Sequence, residues 1–391
     1  MITQFELKNF TAFSDIKITF SPQINVIIGE NGTGKTHLLK AVYSMCAGAP
    51  LFNTKHNPND EDLEETLTTK LIRLFMPLNH KLGKIHRQGA IEKAYMHARF
   101  AQDQSISATF FNNSRSISIQ NQNNYDQYQT TAVFIPTKEV LSLVKGITDK
   151  THDQKTVELI FDDGYVDLAN ALMKTAREDV ETKINLEPRL NAIIPNLVNL
   201  IGGRYQLKNG GFCFQPGKYE EKAAPNRSKA QTAQIYQDST VKKFIATKKQ
   251  PYSSEMTAEG FRKIGILHRL LNNETLNPGS SGPLLWDEPE SNLNPKLMKQ
   301  LVQILLELSR NGQQIILATH DYVLLKWLDL LIDKDKNDHV RFHSLYRDPD
   351  TTEIKLASTD YYSRITPNPI DEAFGSLINQ EIENDMGGLG K

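Results

Sequence analysis

The stretch Gly29-Glu-Asn-Gly-Thr-Gly34-Lys35-Thr36 decides the fold, because it fits G-x-x-x-x-G-K-[ST] and sits between two recognisable elements. Ile24-Asn-Val-Ile-Ile28 before it is a short, mostly apolar run that suits a buried strand. After it, Leu38, Leu39, Val42 and Met45 recur at helical spacing from Lys35 onward. Glycines let backbone N–H groups turn inward around a phosphate, and a helix starting there adds partial positive charge. The expected cradle is therefore Gly29, Glu30, Asn31, Gly32, Thr33, Gly34, Lys35, Thr36 and His37. In such a loop the lysine reaches the β- and γ-phosphates and the hydroxyl of the next residue ligates Mg²⁺.

Working outward, Leu284-Leu-Trp-Asp287-Glu288-Pro supplies the complementary half. A buried strand ending in two acids can put Asp287 on the metal shell, beside Thr36, and Glu288 beside an attacking water. A further strand, Ile315-Ile-Leu-Ala-Thr319-His320, ends in a histidine that could touch the γ-phosphate, 33 residues after Asp287 (320 − 287). The catalytic candidates are thus Glu288 and His320.

Composition narrows the class. The chain has 391 residues, enough for one large domain or two to three lobes, with 39% hydrophobic and 23% charged residues. Forty-five basic residues against forty-six acidic ones leave no global field for a polyanion, so any nucleic-acid surface must be local. Cys46 and Cys213 are too few for a disulfide scaffold or a four-thiolate site. With no signal-like start and no membrane-length apolar run, a soluble cytoplasmic protein is expected.

The remaining pattern is coarser. Phe5, Leu7, Phe10 and then Ile16, Ile18 and Phe20 read as paired strands, and the acidic run Asp60–Glu65 as a helix start. Residues 95–119 read as further strands, and the Asn/Gln-rich stretch 111–130 as a polar hairpin tip or surface loop. From Glu139 to Leu200 the pattern is helical with a break at 162–164, followed by a hairpin turning at Asn209-Gly210. Residues 216–252 read as loop, and helices are expected over 259–271 and 295–310. Between Arg204 and Gln250 lie ten Lys/Arg and three Asp/Glu, interleaved with Tyr205, Phe212, Phe214, Tyr219, Tyr236 and Phe244. That mix suits either a nucleic-acid or acidic-partner surface or a solvated hairpin.

The order of phosphate loop, Met256-Thr257-Ala258-Glu259-Gly260, Asp287-Glu-Pro-Glu290-Ser291-Asn292-Leu-Asn294-Pro295 and Ala318-Thr-His320 resembles the ABC-type ATPases of the SMC/RecF/OLD group. Within that group it looks like the ATPase subunit of Septu- or retron-type antiphage systems. The resemblance implies an α/β ABC-type head with a mixed sheet around the phosphate-loop helix and an inserted helical lobe. It implies ATP and Mg²⁺, with Thr257, Ala258, Glu259 and Gly260 of one subunit meeting the γ-phosphate held by the other. It implies that Ser291 and Asn292 cross the dimer interface. The usual signature serine is replaced by Thr257 or Ala258, and Glu139 is either the substitute for the glutamine of the Mg²⁺-sensing loop or an N-terminal helix acid.

Spacing separates this chain from transporter ATPases: Lys35 to Gly260 is 225 residues (260 − 35), whereas Gly260 to Asp287 is only 27 (287 − 260). The 71 residues after His320 (391 − 320) carry no acidic cluster of nuclease spacing. The expected organisation is a nucleotide-binding lobe from 1–137 and 281–391, with 138–280 inserted. The expected role is a nucleotide-driven homodimer, or an assembly of dimers, that regulates a separate nuclease or toxin in antiphage defence, without a membrane. The alternatives are a RecF-like repair ATPase and an ATP-gated scaffold with little turnover.

Overall fold

The computed structural model describes residues 1–55, 59–149, 151–175, 180–223, 240–247 and 250–387. Strands β1 (Ile2–Phe10), β2 (Phe13–Thr19) and β3 (Ile24–Gly29) lead through the glycine loop into helix α1 (Lys35–Phe52). Helix α2 (Asp60–Phe75) follows, then strands β4 (Ala94–Phe100), β5 (Ser105–Phe110), β6 (Ser118–Asn123) and β7 (Val133–Ile135). Five helices come next: α3 (Val144–Thr148), α4 (Gln154–Ile160), α5 (Asp163–Met173), α6 (Val180–Leu186) and α7 (Pro188–Ile201). Strands β8 (Gly203–Lys208), β9 (Gly211–Ala223), β10 (Thr240–Ala246) and β11 (Tyr252–Ser253) precede helix α8 (Glu259–Asn272). The last part is β12 (Leu284–Asp287), α9 (Pro295–Arg310), β13 (Ile315–Ala318), α10 (Tyr322–Leu331), β14 (Val340–Arg347), β15 (Ile354–Thr359) and α11 (Pro369–Gly387).

The central sheet runs β15-β14-β3-β13-β12-β7. Strand β3 has parallel partners on both edges, β13 and β14, and is buried at all its positions, which explains its near-continuous apolar sequence. Strand alternation splits the sheet between two cores. Val26, Ile28, Trp286 and Leu317 pack with apolar residues of α7, α8 and α9, whereas Ile27, Leu285, Ile316 and Ala318 pack on α1. Helix α1 is enclosed because its other side meets the antiparallel sheet β2-β1-β4-β5-β6 through Phe5, Leu7 and Met96. An α/β fold with a mixed sheet around the helix that follows the glycine loop, as the sequence leads one to expect, is the one observed.

Several local expectations need correction. Part of the Asn/Gln-rich stretch is the edge strand β6, whose side chains other than Ile119 are exposed while its backbone pairs with β5. The same stretch ends on buried Tyr125, whose hydroxyl accepts the Ala49 N–H at 3.1 Å. The stretch expected to be loop after 216 instead extends β9 to Ala223 and contains β10, with Phe244 opposite Tyr219 in register. The residues 224–239 and 248–249 of that stretch, with Tyr236, Lys248 and Lys249, lie outside the described residues. The hairpin at Asn209-Gly210 forms as expected, with φ of 51° and 75°, the left-handed pair that a two-residue turn requires. Elements α10, β14, β15 and α11 had no counterpart in the sequence reading. Among the described residues no helix is long and apolar enough to cross a membrane.

Helix α5 is fastened to α1 and α2 by charge. Lys70, only 4% exposed, donates to Asp163 at 2.9 Å and also to Asp167, while Arg73 meets Asp163 at 2.9 Å and Lys40 meets Asp162 at 2.7 Å. Removing this buried cation leaves Asp163 with Arg73 alone and Asp167 with only the Tyr43 hydroxyl, and breaking a buried pair from one side costs more than the pair itself contributes. Lys70→Met should therefore lower unfolding stability by about 2–4 kcal/mol, the half-open Asp167 moderating the loss. A denaturant titration with wild-type stability would show that these contacts are dispensable.

Candidate active site

The carboxyl ends of β3, β13, β12 and β7 line up side by side, so the turns that follow them share one edge of the sheet. Open α/β sheets place their ligands at that edge. The turn after β3 is the glycine loop, and its shape depends on positive φ at Gly29, Gly32 and Gly34 (152°, 80° and 91°). At Gly34 a Cβ would also stand 2.7 Å from the Phe13 ring, and at Gly29 it would stand 2.3 Å from the Leu345 carbonyl. The Thr33 hydroxyl closes the loop on the Glu30 carbonyl at 2.8 Å, leaving Glu30 and Asn31 exposed at the rim.

Lys35 lies under this loop, donating to the carbonyls of Gly29 (2.7 Å) and Glu30 (3.0 Å). Burial lowers its ammonium from the ordinary lysine value, opposed by the charges of Glu288 and Asp287. The Thr36 hydroxyl donates to Asp287 Oδ2 at 2.8 Å, joining α1 to β12. His37 turns away and packs edge-on against Phe75, centroids 5.5 Å apart, so what it can offer a phosphate is its backbone N–H.

Asp287 is 3% exposed, and burial raises its carboxyl, opposed by hydrogen bonds from Thr36 and Thr137. The Thr137 hydroxyl reaches the same Oδ2 at 3.1 Å. A carboxylate and two hydroxyls at one point are hard oxygen donors of the kind Mg²⁺ takes, and two of these groups border the phosphate loop's end of the sheet. Among the described residues no group of three or more His, Cys, Asp or Glu forms a metal cluster, so any ion here would depend on this oxygen set and on phosphate. Glu139 is not part of it: its buried carboxylate accepts Arg262 Nε at 2.8 Å and the Ser142 hydroxyl. Its charge is engaged by Arg262 of α8, and it is Thr137, two residues earlier, that reaches Asp287.

Glu288 adopts φ of 50°, which turns its side chain out of the strand line and sets Oε1 3.2 Å from His320 Nδ1. The turn is held from below by Lys263 of α8, 1% exposed, which donates to the Glu288 carbonyl at 3.1 Å and to the Ser291 hydroxyl. Glu290 completes the cluster: Oε1 accepts the Thr319 hydroxyl at 2.7 Å and the His320 N–H at 3.3 Å. The structure thus brings Lys35, Thr36, Asp287, Glu288 and His320 together, and adds Thr137, Lys263 and Glu290, which the sequence reading did not single out as site residues. Arg347 at the end of β14 is a further addition, donating to the Gly32 carbonyl at 3.2 Å from an exposed position on the loop. Only the Asp-Glu-Pro-Glu run gave a sequence signal, for Glu290; the others are assembled by packing.

Residues 257–260, expected to act as a signature segment, sit against residues 291–292, expected to cross between copies, of the same chain. A Cβ on Gly260 would stand 2.6 Å from the Asn292 carbonyl, and Asn292 Nδ2 donates to Glu259 Oε1 at 2.8 Å. The Thr257 hydroxyl is occupied within the chain by Tyr205 Oη (2.7 Å), and exposed Ala258 stands at the N-cap of α8 with no side-chain cap. No hydrogen bond among the described residues links Thr257–Gly260 to Gly29–His37 of the same chain.

The basic segment is corrected in one respect. Tyr205, Phe212, Phe214, Tyr219 and Phe244 are each at most 7% exposed and belong to the core over α7 and α8, so they offer no stacking platform for bases. Lys242 and Lys243 stand opposite Glu221 and Glu220 across β9 and β10.

Burial pushes the Glu290 carboxyl up from about 4.5 to about 7, and its Oε2 has no hydrogen-bond partner. The folded chain then favours the protonated acid, so this contribution to stability is complete below about pH 4.5 and is lost as pH rises through about 7. Glu290→Gln should melt progressively higher than wild type as pH is raised between those values. Parallel melting curves over that range would place the burial cost elsewhere.

A family profile described as "AAA ATPase domain" matches residues 1–252, and one described as "AAA domain, putative AbiEii toxin, Type IV TA system" matches residues 221–326. The DNA replication and repair protein RecF of Lactobacillus johnsonii is 35% identical over 86 residues, 22% of this chain and 20% of that protein. RecF of Ligilactobacillus salivarius is 48% identical over 42 residues, 11% of each chain. Structural maintenance of chromosomes protein 6 of Schizosaccharomyces pombe is 40% identical over 63 residues, 16% of this chain and 5% of that protein. The matches therefore span a fifth or less of these relatives. Among solved structures, the SmcHead bound to the C-winged helix domain of ScpA gives a TM-score of 0.48 at 16% identity, covering 92% of this chain and 97% of that one. The SMC head domain from Thermotoga maritima gives 0.46 at 11%, covering 92% and 98%. With the first profile running over more than half of its length, the chain belongs to the AAA ATPase domain family, and its likeness to RecF and the SMC protein is confined to these short stretches.

Proposed function

We propose that this chain hydrolyses Mg-ATP between two head-to-head copies, and that the nucleotide cycle regulates a separate effector protein, a nuclease or toxin, in cytoplasmic antiphage defence. The observation that carries the ATPase part is the meeting of Lys35, Thr36, Asp287 and Glu288 at the carboxyl ends of adjacent strands. Lys35 would leave the loop carbonyls for the β- and γ-phosphates, which the backbone N–H groups of residues 29–37 surround. Thr36 and Asp287 would hold Mg²⁺, which neutralises charge on the phosphate oxygens when bound. Glu288, aimed outward by its positive φ, would accept the proton of the attacking water. His320, 3.2 Å from it, would steady the γ-phosphate side of the site.

The second subunit's part is to present Thr257–Gly260, whose helix begins at an uncapped N-terminus, to the γ-phosphate, with Ser291 and Asn292 crossing between copies. Since Lys263 and Asn292 tie that helix to the Glu288 turn of its own chain, closure of one site would be felt at the other. We keep residues 1–137 and 281–391 as one lobe and 138–280 as the inserted one. The toxin-system description matched by residues 221–326 favours the defence reading; the stretches shared with RecF favour the repair reading as the alternative. Burial of the segment's aromatics removes one support for a DNA surface between Arg204 and Gln250.

Steady-state hydrolysis with and without DNA separates these roles: strong stimulation by DNA favours repair, and tight ATP binding with near-zero turnover favours a scaffold. Lys35→Ala should abolish ATP binding measured by calorimetry; wild-type affinity would overturn the loop's assignment. Glu288→Gln keeps the shape of the side chain but cannot accept a proton, so ATP should bind and turnover fall about 100-fold or more while a closed dimer accumulates. Near-normal hydrolysis would move the base elsewhere, with His320 first in line.

A further inference from the structure

Helix α11 is anchored only at its start. Ile370 is buried, the Tyr362 hydroxyl donates to Asp371 Oδ1 at 2.7 Å, Lys326 lies 3.5 Å from that oxygen, and the Tyr322 ring stacks on Phe374 with centroids 4.2 Å apart. Every side chain from Glu372 to Asp385 is exposed. Within that length Phe374, Leu377, Ile378 and Ile382 are 36%, 62%, 45% and 50% exposed, and they recur at i, i+3, i+4 and i+8. That spacing makes one apolar stripe, the pattern of a helix face that is normally buried. Residues 375–387 extend about 20 Å at 1.5 Å per residue, a length of helix that is marginal in water without tertiary packing.

Charge says what covers the stripe. Glu381 and Asp385 share the face of Leu377, Ile378 and Ile382, Glu372 and Glu383 lie on the opposite one, and between Pro369 and Gly387 there is no Lys, Arg or His. A second α11 in parallel would set Glu381 and Asp385 against their own copies along the seam. An antiparallel one would bring Asp385 back to the acidic start at Asp371 and Glu372, so either arrangement disfavours pairing with its own copy. We propose that α11 is a docking helix that inserts the stripe of Phe374, Leu377, Ile378 and Ile382 into an apolar groove rimmed by Lys and Arg on a separate protein. This is the helix-in-groove mode of recognition, with the acids setting orientation and excluding acidic partners. The helix is seated on α10 through Tyr322, and α10 is capped by Asp321, whose side chain accepts the Leu324 N–H at 2.6 Å. His320 immediately precedes that cap, so a partner on α11 bears on the element that leaves the nucleotide site. The inference rests on the proposed effector for its biological meaning and supplies the surface such a partner would use.

The test uses the full chain and two labelled synthetic helical peptides of equal length, one of Leu and Lys and one of Leu and Glu, followed by fluorescence anisotropy. The Leu/Lys peptide should bind and the Leu/Glu peptide should not, with hydrogen exchange slowed over 375–387 in the complex. A Leu377→Ser, Ile378→Ser, Ile382→Ser variant should weaken binding by about tenfold or more, roughly what several lost apolar contacts amount to. A Glu381→Lys, Glu383→Lys, Asp385→Lys variant should reverse the preference between peptides. Melting temperature should stay nearly unchanged in both, because these side chains are exposed and belong to neither hydrophobic core. Binding unaltered by the serine variant, or equal binding of both peptides, would overturn the proposal. So would nucleotide-free sedimentation as a dimer that the serine variant turns into a monomer, which would give the stripe to a second copy. Peptide binding by a chain without ATPase activity would remove the proposed function and leave this surface; active chain without binding would do the reverse.

Discussion

Strand β3 can exist only because two strands from the far end of the chain flank it. Residues 24–27 pair with 315–318 on one edge and all six with 340–345 on the other, and none of the strand's side chains reaches solvent. Backbone N–H and C=O groups buried in this way must be paired, so the ladder cannot be partly formed. The glycine loop inherits its position from that ladder. Gly29 pairs with Leu345, and the loop is pressed so close to the Leu345 carbonyl that a side chain has no room. A loop positioned by so distant a contact is rigid before any ligand arrives, which is what phosphate recognition by fixed N–H groups requires.

Around this ladder the site is built from buried charge. Lys35, Lys263, Asp287 and Glu290 are all less than a tenth exposed, and burial opposes the charged form of each. They are tolerated because each holds hydrogen bonds to carbonyls or hydroxyls: Lys35 to Gly29 and Glu30, Lys263 to the Glu288 carbonyl, Asp287 to Thr36 and Thr137. Such networks stabilise little by themselves, but they leave few alternative arrangements. Positive φ at Glu288 fits the same picture, since a strained non-glycine residue persists only where its surroundings over-determine it. Lys263 is the over-determining contact, and it sits on α8, which begins at Glu259.

The second layer, α3 to α8 with β8 to β11, shares its apolar cluster with the far face of the central sheet. Movement of α8 therefore cannot be confined to that layer. It would disturb Trp286 and the Glu288 turn, which rest on the same cluster and on Lys263. Helix α11 lies outside both layers. Its acids and its open stripe make it the part of the described chain least satisfied by intramolecular packing.

The sequence by itself determined the elements whose signal is local. The glycine loop, the apolar runs of β3, β12 and β13, the helix from Lys35 and the turn at Asn209-Gly210 each follow from spacing, propensity or required φ within a few residues. Thr36 and Asp287 were legible for the same reason, as members of short motifs. Only the tertiary structure decided which polar residues join them. Thr137 reaches Asp287 because β7 pairs with β12, and Arg347 reaches the loop because β14 lies beside β3. Glu139 meets Arg262, 123 residues away, a partner no local pattern announces. The aromatics between 204 and 244 had equal claim to a base-stacking surface or to a core, and period-two alternation cannot distinguish the two. The side of the sheet that faces α7 and α8 distinguishes them, because burial is set by which layer packs on a face and not by the sequence of the face itself.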